Sequence, residues 1–133
     1  DRASLPLEDR WLLSRLATVT AEVTDAIDHY RYAEAARSLY DFAWDEFCSL
    51  YVEMAKARLS DPAQRAETQT IVAHALDTLL RLLHPIMPFV TEEIWSHLGK
   101  AAPSRGLDQP EKAGPFVMLA PWPKVDPRDK GDE

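Results

Sequence analysis

Glycine is missing from the first 98 residues of this 133-residue chain: Gly99, Gly106, Gly114 and Gly131 all lie beyond Leu98. Without glycine, no loop in that stretch can bring successive backbone N–H groups up to phosphates, which excludes a P-loop and a dinucleotide fingerprint there. Cysteine is scarcer still, and the single Cys48 cannot close an internal disulfide. There is no run of some 18 apolar residues and no hydrophobic secretory core, so the expectation is a soluble cytoplasmic chain that contacts no membrane. Metal-ligand spacings are absent as well. His29, His74, His84 and His97 stand far apart, and no His-x-x-x-His, Glu-x-x-His or Cys-x-x-Cys pair occurs.

Positive charge is also short. The formal charge is −7, and residues 1 to 98 hold 16 acids against 9 Lys or Arg, whereas residues 99 to 133 hold 6 of each. A domain that relies on phosphate neutralisation is usually basic, so free RNA should be held weakly and released steeply by salt. An acidic body is equally consistent with a helical protein-interaction module that docks to a partner.

What is present is helix. At 133 residues one domain is expected, and folding should bury about two-thirds of the unfolded surface. Leu12, Leu16, Val19, Val23, Ala26, Ile27 and Tyr30 recur at spacings of three and four, predicting a helix from near Pro6 to about Tyr30. Glu8 and Asp9 suit its positive end. The apolar stripe changes phase over 28–32, where a tight turn is expected. A second helix should run from about Tyr32 to Leu59, with Ala33, Ala36, Leu39, Tyr40, Ala43, Phe47, Leu50, Tyr51 and Met54 on its core side and Phe42 and Trp44 filling deeper volume. Cys48 among these aromatics reads as a core residue.

Ser60-Asp61-Pro62 stops that helix and starts a third, which continues to His84 through Ile71, Ala75, Leu79, Leu80 and Leu82. Pro85 disfavours helical geometry at His84, which reads as a capping or packing residue. A fourth helix is expected over Pro88 to Leu98 with Gly99 as its left-handed cap. Six prolines follow, so 100–115 reads as loop, Phe116 to Leu119 as extended, Trp122 as an anchor, and Asp126 to Glu133 as frayed. The fold class is therefore all-α: an antiparallel bundle of about four helices. Its body spans about 6–99, with an irregular proline-rich tail over 100–133.

Catalytic constellations do not emerge. Asp41, Asp45 and Glu46 read as solvated acids, with Arg37 placed to pair with Asp41, and Glu93 with His97 gives at most a salt bridge or half a metal site. Binding looks plausible only in Glu8-Asp9-Arg10-Trp11-Leu12-Leu13-Ser14-Arg15, where an aromatic sits among donors. Splayed single-stranded bases are read by stacking on aromatics or guanidinium planes and by edge hydrogen bonds. By themselves these residues fit a packing role better, with Trp11 against the tail and the arginines in helix salt bridges.

Four strings in register change that balance: "LEDRWLLSRL", "YRYAEAARSLYDFAWDEFCSLYVEMAK", "LLHPIMPFVTEEIW" and "MLAPWP". In their order and spacing the chain resembles the helical anticodon-binding domain of the class I tRNA synthetases for valine, leucine and isoleucine, and it is most similar to the valyl form through Phe47-Cys48 and "LHPIMPF". The resemblance implies that residues 1–133 are one anticodon-binding domain of a ligase that consumes ATP to join valine to its tRNA. Its implied partners are the anticodon stem-loop of valine tRNA and the catalytic domain of the same parent chain. It further implies that Trp11 stacks on an anticodon base and Arg10 meets a phosphate or base edge, with Ser14 and Arg15 as further RNA contacts. The "HIGH" and "KMSKS" signatures of adenylation are absent, so no catalysis and no cofactor are expected in this chain itself. The helix that relatives place before this region, expected to share the anticodon surface, is absent too.

Overall fold

The computed structural model describes residues 2–131 as an all-α structure, with one two-stranded ladder as its only sheet among those residues. Contacts divide the chain into two compact units, 1–56 with 124–133 and 57–123.

In the first unit, α1 (Leu7–Asp28) packs against α2 (Tyr32–Asp41) and the π-wound segment Phe42–Tyr51 that continues it. The expected stripe is buried at Leu12, Leu16, Val19, Val23 and Ala26, while Ile27 is only half-buried. Tyr30 is not core. It lies outside the helix, exposed, with φ 61°. It stands where glycine usually ends a helix: its N–H donates to Ile27 O (3.0 Å), and the Arg31 N–H donates to Ala26 O (2.7 Å). These two bonds satisfy the last carbonyls of α1 and reverse the chain without a glycine. Pro6 precedes the first helical residue and is not itself that residue.

The stretch after the turn is helical throughout but not uniformly wound. Buried positions run Ala35, Leu39, Phe42, Phe47, Tyr51, Ala55, with a step of five between Phe42 and Phe47. That step marks the π winding, in which Val52 N–H donates five residues back to Phe47 O. An α-helix would bring Glu46, four beyond Phe42, to the core; the wider turn brings Phe47 and leaves Glu46 half-buried at the side. The phase slip turns Leu50 and Met54 outward in favour of Tyr51 and Ala55; Tyr40, Trp44 (61%), Cys48 and Ala33, also expected in the core, are exposed because they lie off the Ala35–Leu39–Phe42 face. The helix closes with α3 (Val52–Ser60), along which the two units divide.

In the second unit, Asp61 caps a turn by accepting from Ala63 N–H (3.0 Å), so α4 (Arg65–Leu83) begins three residues later than Pro62 suggests. His84 ends it, and its Nδ1 lies 2.9 Å from Thr91 Oγ1 at the start of α5 (Pro88–Ala101). Gly99 is inside α5 and caps nothing. The core gathers Leu80, Trp95, Leu98 and Val117. Residues 100–115 are not wholly loop, because Ser104–Arg105 (β1) and Glu111–Lys112 (β2) form an antiparallel ladder. Of Phe116–Leu119, expected to be extended, only Phe116 is. Val117–Leu119 is a 3-10 turn whose N–H groups at Val117 (3.0 Å) and Met118 (2.9 Å) donate to the Glu92 carboxylate. Trp122 is half-buried.

A buried ionic cluster supports this unit. Asp77 accepts from Arg81 Nε and Arg105 Nε, each at 2.7 Å, and both guanidiniums lie over the Trp95 ring at 5.4 Å and 4.3 Å. The indole N–H donates to Gly114 O (2.9 Å).

Candidate nucleic-acid interface

Arg10 and Ser14, and likewise Trp11 and Arg15, are four apart in the first turns of α1, so the four side chains form two adjacent rows on one helix face. They line a single cavity of about 660 Å³ in the first unit. Trp11 is neither sealed nor fully open: its ring is half-buried and forms part of the wall. Arg10 is exposed and makes no ion pair among the described residues. Arg15 is held, because its Nε and one terminal nitrogen donate to the Glu46 carboxylate at 2.7 and 2.8 Å. This two-point pairing fixes the guanidinium plane at the cavity wall. The residues named from sequence are therefore brought together, with Arg15 committed to Glu46.

The other wall comes from the far end of the chain. The segment expected to fray is, over its described residues, an ordered 3-10 turn, Pro127–Asp129. Asp126 starts it by accepting from Arg128 N–H (2.9 Å) and from the Arg128 side chain. The Arg128 hydrogen bonds, side chain before backbone, lower the Asp126 carboxyl from 3.8 to about 2. Arg2 Nε donates to Asp129 (2.5 Å), and Gly131 N–H donates to Ser14 Oγ (3.2 Å), which seats the turn on α1. Arg2, Arg128 and Lys130 thereby join Arg10, Trp11, Ser14 and Arg15 around the cavity. A smaller cavity of about 380 Å³ continues along α1 past Ala17, Thr18 and Ala21 and shares Ser14, Lys130 and Gly131 with the first.

In a chain of net charge −7, five cationic side chains thus border one hollow beside an accessible indole. Such a hollow suits a planar base against the ring and anionic oxygens at its rim. The tail's share was invisible to helical periodicity; the signal that could have found it is Asp126-Pro127, a turn-initiating pair.

The remaining candidates are ordinary surface pairs. Glu93 and His97 meet at 3.1 Å and Arg37 and Asp41 at 3.9 Å, all exposed, and the described residues contain no group of three or more metal-ligating side chains. No helix is long and apolar enough to cross a membrane among the residues described.

Comparison with known proteins adds three findings. Residues 9–133 match the family model described as the anticodon-binding domain of tRNA ligase. The chain is 67% identical over 126 residues to a valine–tRNA ligase of Rhodopirellula baltica, covering 95% of this chain and 12% of that protein. Valine–tRNA ligases of Mycobacterium leprae (50% over 116 residues) and Dehalococcoides mccartyi (45% over 124 residues) are similar over 87% and 93% of this chain and 11% and 13% of their own lengths.

Proposed function

The chain belongs to the anticodon-binding domain family of tRNA ligases, and on that premise we propose that it reads the anticodon stem-loop of valine tRNA for a valine–tRNA ligase. The observation that carries this reading is the half-buried Trp11 ring in a cation-lined cavity on an otherwise acidic chain. A base unstacked from the anticodon loop lies against the indole. Arg10 takes a phosphate or a base edge. Ser14 and Arg15 shape the wall, Arg15 through its fixed guanidinium and Ser14 through a hydroxyl shared with the Gly131 N–H.

The chemistry of charging belongs to the parent enzyme, in which ATP activates valine before transfer to tRNA. This domain contributes RNA contacts and works in the cytoplasm with the catalytic domain of the same polypeptide. Around the α4–α5 turn, Ile86, Met87, Phe89 (91% exposed) and Val90 stand open, as do Phe116, Met118 and Leu119 nearer the C-terminus. Exposed apolar side chains in this number support burial against the remainder of the ligase.

Trp11→Ala in the full-length ligase tests the reading. Loss of one stacked base, about 1–3 kcal/mol, should weaken tRNA binding roughly five- to 150-fold. It should raise the tRNA KM or slow aminoacylation while valine-dependent ATP–pyrophosphate exchange continues. Unchanged charging of valine tRNA would overturn the proposal.

A further inference from the structure

We propose that the C-terminal turn is part of the RNA site, with Lys130 contacting the phosphate that links the nucleotide stacked on Trp11 to its neighbour. This rests on the reading above, and it adds to the residues of α1 a segment that lies outside the helices.

Three observations lead there. The turn is built and is not a loose end: Asp126 caps it, Arg2 grips Asp129, and the Gly131 amide is bonded to Ser14 on the binding face of α1. Among the cations around the larger cavity, Arg2, Arg15 and Arg128 are each ion-paired with Asp or Glu, whereas Arg10 and Lys130 are exposed and have no such partner among the described residues. Finally, Lys130 borders both hollows, the one that holds the Trp11 ring and the smaller one along Ala17, Thr18 and Ala21.

A single strand lying along α1 with one nucleotide in each hollow must pass its linking phosphate between them. Lysine is suited to that position because its ammonium is a compact charge on a flexible stem, able to follow a phosphate without requiring one fixed orientation. Arg10, at the larger hollow only, is left for the other phosphate or a base edge. The small side chains at Ala17, Thr18 and Ala21 leave room for a sugar and a base, and Glu22 at the far end of the groove disfavours a further phosphate there. An acidic peptide could use the two cations but gains little from an aromatic wall, so the indole favours RNA.

The experiment titrates valine tRNA onto the full-length ligase over a series of salt concentrations, comparing the parent with Lys130→Ala, Lys130→Arg and Trp11→Ala. Lys130→Ala should weaken binding roughly three- to tenfold and make the slope of log K against log salt shallower by about 0.7, one phosphate contact on a single strand. Lys130→Arg should restore both, and a purely structural role for the turn would not move the slope. If Lys130→Ala leaves affinity and slope intact while Trp11→Ala weakens binding, the tail is not part of the site although the base-stacking reading stands. If neither variant weakens binding, that reading fails and this proposal with it. Displacement of the tRNA by polyglutamate at matched charge, together with an inert Trp11→Ala, would reassign the cavity to acidic peptides and overturn the RNA contact.

Discussion

Each unit buries a carboxylate, and the two solve the resulting problem differently. In the first, Asp9 is fully enclosed and accepts a 2.6 Å hydrogen bond from the Tyr51 hydroxyl, a neutral donor delivered by the last residue of the π-wound segment. In the second, Asp77 lies between two guanidiniums that also cover the Trp95 ring. Removing the Tyr51 hydroxyl takes one neutral donor from the first, whereas removing the acid from the second strands two cations, of which Arg105 is itself buried. The hazard of a buried polar group is therefore set by what its loss would leave behind more than by the bond it makes.

The sharpest way to break the symmetry is Asp77→Ala, which should destabilise the second unit by about 3–5 kcal/mol through uncompensated buried charge; urea unfolding would register it. Tyr51→Phe should cost less, about 1.5–3 kcal/mol for one hydrogen bond to a charged group lost beside an otherwise preserved ring. Equal losses in the two variants would erase the distinction. The chain reversals extend the contrast, since the second unit turns through Pro85 and Pro88 whereas the first holds Tyr30 in left-handed backbone. Tyr30→Gly should relieve that conformation and stabilise the first unit by about 1 kcal/mol, less whatever the edge contact with Tyr32 (6.3 Å between centroids) contributes. A fall in stability would mean that the ring contact outweighs the strain.

The smallest effect is one of acid. Asp126 titrates at about 2 in the folded chain against an ordinary 3.8, so it binds its proton more readily when unfolded. Its contribution to the turn is complete above about pH 4, declines as pH drops, and is lost once pH passes below about 2. Following the Asp126 carboxyl and Gly131 amide resonances by NMR should show the turn still seated at pH 4 and released near pH 2. Release already complete at pH 4 would contradict the Arg128 pairing.

Much of this was legible in the chain. Pro62, Pro85 and Pro88 punctuate helices because ring geometry and a missing N–H act locally, so the boundaries lie within a few residues of where those prolines suggest. The α1 face carrying Arg10, Trp11 and Ser14 was equally readable, since one helical period relates them. Past Phe42 that same period misleads. Leu50 and Met54 fit the core by that period, yet they are exposed because π winding moved the inward face by one position. Asp9 and Asp77 gave no sign of burial, because Tyr51 and Arg105, which bond them, lie 42 and 28 residues away, and the i,i+4 pair of Asp77 with Arg81 alone looks like an ordinary surface pair. The tail escaped for the same reason, its support coming from Arg2 and Ser14 at the opposite end of the chain.

The five-residue step between Phe42 and Phe47 also makes the segment a vernier. Excising one solvent-facing residue there, such as Asp45, would let the backbone relax to ordinary α pitch, with the former Phe47 falling four places after Phe42 and everything downstream keeping its heading. The same excision in a regular helix would swing the following side chains by about 100°. A stretch that holds one residue more than an α-helical turn requires is thus where this rod can shorten without losing its aim.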